Sequence, residues 1–104
     1  MENTVEYIKL FVEYESDDIP VIFFYEVDLI NDRLMLREIE VFADNTVKLT
    51  DDPYYEVIEI CPIPTVDELN KNIWGEGFYA INILKEEFDE IWDTGIYNGS
   101  LTVT

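Results

Sequence analysis

Histidine is absent from this chain, and basic residues are scarce. Only 6 of its 104 residues are Lys or Arg, against 24 Asp and Glu, so the net charge is -18. Because imidazole is the usual general base near neutral pH, its absence excludes the common serine and cysteine hydrolase dyads. The excess of negative charge also argues against binding to nucleic acid or to an anionic membrane, and it favours a basic partner.

Cysteine and glycine are few as well. The single cysteine, Cys61, cannot form an internal disulfide, and its apolar neighbours Ile60 and Pro62 favour a buried, inert thiol. The four glycines form no phosphate-binding loop, and no residues have the spacing of zinc ligands. No apolar run approaches the roughly 20 residues of a membrane span, and no signal-peptide pattern opens the chain. We therefore expect a cytoplasmic protein without cofactor or metal that is not an enzyme.

The residues that are abundant predict a folded domain. Hydrophobic residues make up 48% of the chain and aromatic residues 14%, which is too much apolar surface for a disordered polyanion. A chain of this length can bury a core without disulfides or metals. We expect residues 1–104 to form a single domain, with no linker or internal repeat.

The first half of the chain alternates polar and apolar residues with the period of β-strands. The pattern predicts five strands in a simple antiparallel meander, with a tight turn at Asn31 and Asp32 between the second and third. If those two residues are the whole loop, the pairs across the hairpin are Leu29 with Leu34, Val27 with Leu36, and Glu26 with Arg37. The predicted strands are residues 5–14, 21–27, 33–42, 46–49 and 54–61.

The second half changes to a helical period. Thr65 and Glu68 have the spacing of a capping box, which predicts a short helix over about 65–71. A second, amphipathic helix is predicted over about 85–93, and Gly95 is placed to end it. The fold class is therefore α+β, a meander sheet of about five strands packed by a short helix and a C-terminal amphipathic helix. The tail, residues 96–104, is either a late strand pair or a frayed end.

Acidic residues interspersed with aromatic ones are the candidate binding site. Loops present side chains to partners, and tyrosine beside carboxylates is suited to contact lysine and arginine, although ordinary polar turns have the same composition. The acids of the second helix, by contrast, favour a solvated face. The adjacent acids Asp17–Asp18 and Asp51–Asp52 could also bind a divalent cation, but chance pairs are expected among 24 acids. The candidate partner-binding residues are Glu13, Glu15, Asp17, Asp18, Asp51, Asp52, Tyr54, Tyr55, Glu56, Trp74 and Glu76.

Two segments resemble a family of small bacterial domains. These are the strand Leu-Arg-Glu-Ile-Glu-Val-Phe at 36–42 with the turn Ala-Asp-Asn after it, and the helix Lys-Glu-Glu-Phe-Asp-Glu-Ile-Trp at 85–92. With the opening strand, the match spans most of residues 5–93. The chain departs from the pattern at Leu84, where a polar helix cap is expected, and at Asn45, where glycine is commoner.

Such domains look like immunity proteins of polymorphic-toxin and contact-dependent growth inhibition systems. The resemblance implies that the chain binds a cognate basic toxin domain, often a nuclease, in a one-to-one complex and blocks its active site. A ribonuclease is the favoured toxin class. Two other functions remain open: an acidic mimic of nucleic acid that inhibits a DNA-binding protein, and a carboxylate enzyme that uses a metal.

Overall fold

A computed structural model of the chain describes residues 4–13, 19–51, 62–71 and 77–102. In these ranges the fold is α+β, as the sequence predicts, with an antiparallel five-stranded sheet and a helix packed on each of its faces. The strands are β1 (Val5–Val12), β2 (Ile22–Asp28), β3 (Leu34–Val41), β4 (Val47–Thr50) and β5 (Phe78–Asn82), and the helices are α1 (Val66–Asn70) and α2 (Lys85–Thr94).

The strands lie in the order β4-β3-β2-β1-β5. The first four form the predicted meander, in which each strand pairs antiparallel with the next one along the chain. The predicted fifth strand, 54–61, and Cys61 lie outside the described residues. The described sheet instead takes its fifth strand from Phe78–Asn82, where no strand was predicted from the sequence.

The fifth strand pairs with β1, with Leu10 opposite Ala80. Its outer edge is covered at Ala80 by the Asn70 side chain at the end of α1. The amide of Asn70 donates to the Ala80 carbonyl (2.9 Å) and accepts from the Ala80 N–H (2.6 Å). Asn70 thus replaces part of a neighbouring strand, which is one way of protecting a sheet edge from other chains.

Successive side chains of a strand point to opposite faces of the sheet, so the core is divided into two clusters. On one face, α2 contributes Phe88 and Ile91, which pack on side chains of β1, β2 and β3 together with Tyr97 from the segment after the helix. On the other face, Leu69 of α1 packs on side chains of β1, β2 and β5. Both faces of the central strands are therefore buried, which explains the dense apolar content of β1 and β2.

The β2–β3 hairpin differs from its predicted form. Glu26 does lie opposite Arg37, but a bulge follows, so that Val27 pairs with Met35 and Asp28 with Leu34. The predicted pairs of Leu29 with Leu34 and Val27 with Leu36 are therefore wrong.

A longer loop explains the error. The Asp28 carboxylate accepts hydrogen bonds from the backbone N–H of Ile30 and Asn31 and from the Asn31 amide, which holds a five-residue loop rather than a two-residue turn. Within that loop Asp32 and Arg33 both have left-handed backbone conformations, with φ of 57° and 59°.

The helix ends follow the sequence signals. Thr65 and Glu68 form the predicted capping box at the start of α1. Gly95 ends α2 with a left-handed φ of 68°. Both departures from the family pattern have structural counterparts: Leu84 is the N-cap of α2 but makes no side-chain cap hydrogen bond, and Asn45 takes the left-handed φ of 69° that glycine adopts more easily.

Candidate functional site

Most of the basic side chains are engaged with the protein's own groups. All six Lys and Arg lie in the described residues. Arg33 pairs with Glu6 at 2.7 Å and donates to the carbonyls of Ile63 and Pro64. Three of the six, Arg33, Arg37 and Lys85, make ion pairs with acids of this chain. These cations are consequently less accessible to acids of another molecule.

Among the described residues, Arg37 is at the centre of the largest cluster of ion pairs. Its guanidinium donates two hydrogen bonds to the buried Glu26 carboxylate, at 2.7 and 2.6 Å, and a third to Asp89 of α2 at 2.9 Å. Asp89 also pairs with Lys85, and the Tyr7 hydroxyl donates to Glu26 at 2.7 Å. The cluster therefore ties α2 to β1, β2 and β3.

The pKa values in this cluster reflect these contacts. The hydrogen bonds from Arg37 hold the pKa of Glu26 below its ordinary value, and those from Lys85 and Arg37 do the same for Asp89. Burial, with the hydrogen bond to anionic Glu26, raises the pKa of Tyr7 to about 12. The carboxylates are therefore charged at neutral pH and already paired, so the cluster is a structural element and has no vacant acid or base.

A fourth cation, Lys9 of β1, lies over aromatic rings. Its ammonium nitrogen is 4.8 Å from the ring centre of Phe11, 5.1 Å from that of Tyr97 and 5.5 Å from that of Phe24. Cation–π contacts of this kind are stabilising where the cation is partly removed from water, as half-buried Lys9 is. Within the described residues Lys9 makes no ion pair under 4 Å.

The outer face of α2 carries the opposite charge. Glu86, Glu87, Glu90 and Asp93 are all exposed, and in the part of the chain that the structure describes no Lys or Arg lies within ion-pair distance of them. Their exposure agrees with the interpretation of these acids as a solvated face. Asp89 is the exception, because it turns toward Arg37.

A groove runs between α2 and the segment that follows it. Its volume is about 360 Å³, and Lys9 lies in its lining. Glu87 and Glu90 stand on the helix side, and Ile96, 57% exposed, stands on the other. The groove thus combines carboxylates and exposed apolar surface. Its remaining lining residues are Ile91, Thr94, Tyr97, Asn98 and Gly99.

The far wall of this groove is fixed by Tyr97. Its ring is buried and meets Phe24 edge-on at 5.8 Å, and its hydroxyl donates to the Ser100 carbonyl at 2.5 Å. A Cβ at Gly99 would come within 2.5 Å of the Tyr97 hydroxyl oxygen, so the turn requires glycine there. The segment after α2 is therefore packed against the core, and the groove is formed in the free chain. A strand pair or a frayed end was predicted for residues 96–104, but residues 96–102 contain no strand and Tyr97 packs into the core. No site was predicted here from the sequence.

A second groove, of about 650 Å³, lies between the first residues of β1 and the segment that leads from β5 into α2. Leu29 and the 71% exposed Leu84 line it. Its charged members, Glu6 and Lys85, are already in ion pairs with Arg33 and Asp89. Its electrostatic pull on a charged partner is therefore weaker than that of the first groove.

Most of the predicted site residues lie outside the described part of the chain. These are Glu15, Asp17, Asp18, Asp52, Tyr54, Tyr55, Glu56, Trp74 and Glu76. Glu13 and Asp51 are described, and both are exposed. They follow β1 and β4, which two other strands separate, so at least about 14 Å lies between them. The structure does not bring these two acids into one patch.

Two further acids, Glu38 and Glu40, share a face of β3 and were not singled out from the sequence. They are half-buried, next to Tyr25 and Lys48. Burial and the neighbouring Glu40 carboxyl raise the pKa of Glu38 to about 7. This pair of adjacent acids is visible in the sequence, but only the register of β2 and β4 shows that it is partly buried.

Two further kinds of feature are absent from the described residues. No group of three or more His, Cys, Asp or Glu there is arranged to hold a metal ion. Nor is any helix of those ranges long and apolar enough to cross a membrane.

Comparison with known proteins places the chain in one family. Residues 6–97 match the domain of unknown function DUF6881, so the chain belongs to that family. Curated proteins and solved structures give no match.

Proposed function

From the resemblance to immunity proteins and from the distribution of charge, we propose that this chain, a member of the DUF6881 family, is an immunity protein. It binds a cognate basic toxin domain in a one-to-one complex in the cytoplasm and occludes the toxin's active site. The proposed toxin is a nuclease. A ribonuclease is the favoured class, in line with the resemblance to immunity proteins. The chain acts by binding and carries out no catalysis.

The observation that carries the proposal is the unequal pairing of positive and negative side chains among the described residues. Three of the six cations are held in ion pairs with Glu6, Glu26 and Asp89, and a fourth lies over rings. The four outer acids of α2 are exposed without such partners among the described residues. A surface of this kind attracts a basic protein and repels nucleic acid.

The charge excess suits a fast inhibitor. A net charge of -18 is far above the magnitude of about 2 to 8 that keeps a small domain soluble. Complementary charge can raise the association rate of two proteins by about 10-fold to 1,000-fold at low salt. A toxin that degrades RNA must be captured before it acts, so a high association rate has a direct benefit to the producing cell.

The test is co-purification with the product of the adjacent upstream gene. We expect a tight one-to-one complex with a basic domain, loss of that domain's nuclease activity in the complex, and slower association at high salt. Deletion of this gene beside an intact toxin gene is expected to harm the cell. No complex and no harm would contradict the proposal, and competition with DNA for many unrelated basic proteins would support a nucleic-acid mimic instead.

A further inference from the structure

We infer that the groove between α2 and the segment 96–99 is the docking site for a segment of the partner that carries both basic and apolar side chains. This inference rests on the proposed function and deepens it, because it assigns a place on the chain to the partner. The basic side chains meet Glu87 and Glu90, and an apolar side chain packs on Ile96.

Charge complementarity selects the occupant. Glu87 and Glu90 are exposed on the helix side of the groove, with no cation of the described residues within ion-pair distance. Lys9 lies in the lining but holds its ammonium over the rings of Phe11, Phe24 and Tyr97. A second copy of this chain would bring another net charge of -18, so a basic segment of a different protein fits the groove better.

The apolar wall of the groove contributes binding affinity that exposed charges alone do not provide. Exposed ion pairs contribute little to affinity, because water and salt screen them. Ile96 is 57% exposed beside the buried Ile91, and both line the groove. An apolar side chain that covers them removes that surface from water and slows dissociation, while the carboxylates set the register of the segment.

The groove needs no rearrangement to accept a segment. Gly95 turns the chain at the end of α2, and the Ile96 N–H donates to the Thr94 hydroxyl at 3.2 Å. The buried Tyr97 ring and its hydroxyl bond to Ser100 then fix the far wall. A preformed wall lowers the entropic cost of binding.

The experiment uses the full chain and a short synthetic peptide that alternates arginine and leucine, at about 150 mM salt. The same peptide with citrulline in place of arginine is the control for charge. Backbone amide signals of the protein are followed by NMR during the titration. We expect the largest shifts in residues 87–99 with the arginine peptide, and weak or no binding of the citrulline peptide.

Two double variants separate the groove from general charge. Glu87→Gln with Glu90→Gln removes the groove carboxylates and is expected to weaken peptide binding about tenfold. Glu86→Gln with Asp93→Asn makes the same change in charge on the same helix, away from the groove, and is expected to weaken binding about twofold. Ile96→Ser, which leaves the charge unchanged, is expected to weaken binding about fivefold. All five positions are exposed, and thermal unfolding checks that each variant folds.

Each outcome decides the inference. Docking in the groove would be contradicted by any of three results. These are equal losses of peptide affinity in the two double variants, NMR shifts spread evenly over the acidic surface, or an unchanged affinity in Ile96→Ser. None of these results would affect the immunity function, which is decided by co-purification and by deletion of the gene. Conversely, co-purification can fail while the peptide still binds specifically in the groove. That result would contradict the proposed toxin partner but support the groove as a docking site for basic segments.

Discussion

Among single residues, Arg37 organises more of the structure than any other charged side chain described. Its guanidinium forms a bidentate pair with Glu26, reaches Asp89 and stacks over the rings of Phe88 and Trp92, at 4.8 and 5.0 Å. Only a planar group with several donors can make all these contacts at once, so lysine is not an equivalent substitute.

Glu26→Gln tests the importance of this pair. The variant leaves the half-buried Arg37 without its closest counter-charge, and we expect the free energy of unfolding to fall by about 2 to 4 kcal/mol. Urea denaturation measures the change. In the same variant the pKa of Tyr7 is expected to drop from about 12, because its anionic acceptor is gone. Glu86→Gln, on an exposed acid, is the control and is expected to change stability by less than about 0.5 kcal/mol.

The raised pKa of Glu38 predicts an unusual pH dependence of folding stability. Its pKa in the folded chain is about 7, above the ordinary value of 4.5, so the folded state binds the proton more tightly than the unfolded state does. This carboxyl therefore opposes folding when ionised, and stability rises as pH falls from 7 toward 4.5. At lower pH the trend reverses. Glu26 and Asp89, whose pKa values are below the ordinary ones, become protonated there, and the stability that their ion pairs contribute is lost.

Glu38→Gln checks this assignment. We expect the variant to be more stable than the parent by about 1 to 2 kcal/mol at pH 8, with the advantage vanishing near pH 4.5. Urea denaturation across this pH range gives the result. A constant difference at every pH would show that Glu38 is not the titrating group.

At the scale of elements, α2 is held by its packing and its C-terminal cap more than by its N-terminus. Phe88 and Ile91 are buried, Gly95 closes the last turn, and the Gly95 N–H donates to the Ile91 carbonyl at 2.8 Å. At the other end Leu84 occupies the N-cap position with a suitable extended backbone but offers no acceptor. The first N–H groups of the helix therefore lack a side-chain cap.

Leu84→Ser is expected to stabilise the protein by about 0.5 to 1 kcal/mol, because the hydroxyl can accept a hydrogen bond from the first turn. Leu84→Ala removes the same exposed leucine without adding an acceptor, so the difference between the two variants isolates the cap. Thermal or urea unfolding measures both. Equal stabilities would mean that the cap is not formed.

At the scale of the whole molecule, like charges oppose the compact state. The chain carries a net charge of -18, while at least four of its six cations are bound by its own acids or rings. Repulsion among the remaining acids therefore lowers stability. At 0.1 M salt this repulsion is largely screened between charges more than about 10 Å apart.

We therefore expect the free energy of unfolding to increase by about 1 kcal/mol or more between roughly 10 mM and 500 mM sodium chloride. Binding of the basic partner is expected to weaken over the same range, so salt acts in opposite directions on folding and on association. Potassium chloride is the control for ion-specific effects. Destabilisation by both salts would show that internal ion pairs outweigh surface repulsion.

The local elements of this chain were accessible from the sequence because short-range chemistry decides them. The period-two pattern located β1 to β4, the capping box located α1, and the amphipathic pattern over 85–93 located α2. The pairing of Glu26 with Arg37 was also correct. Each depends on residues close together in the chain or on one hairpin.

The place of β5 and the contacts between distant segments were decided by the tertiary structure. The strand β5 pairs with β1 across about 70 residues of chain, and no local pattern signals such a pairing. The same holds for the groove, whose lining joins Lys9 to residues 87–99, and for the burial of Glu38. The sequence by itself determined β1 to β4, the two helices and the excess of negative charge. Only packing decided which acids are paired inside and which remain on the surface, because ion pairing depends on distances in space.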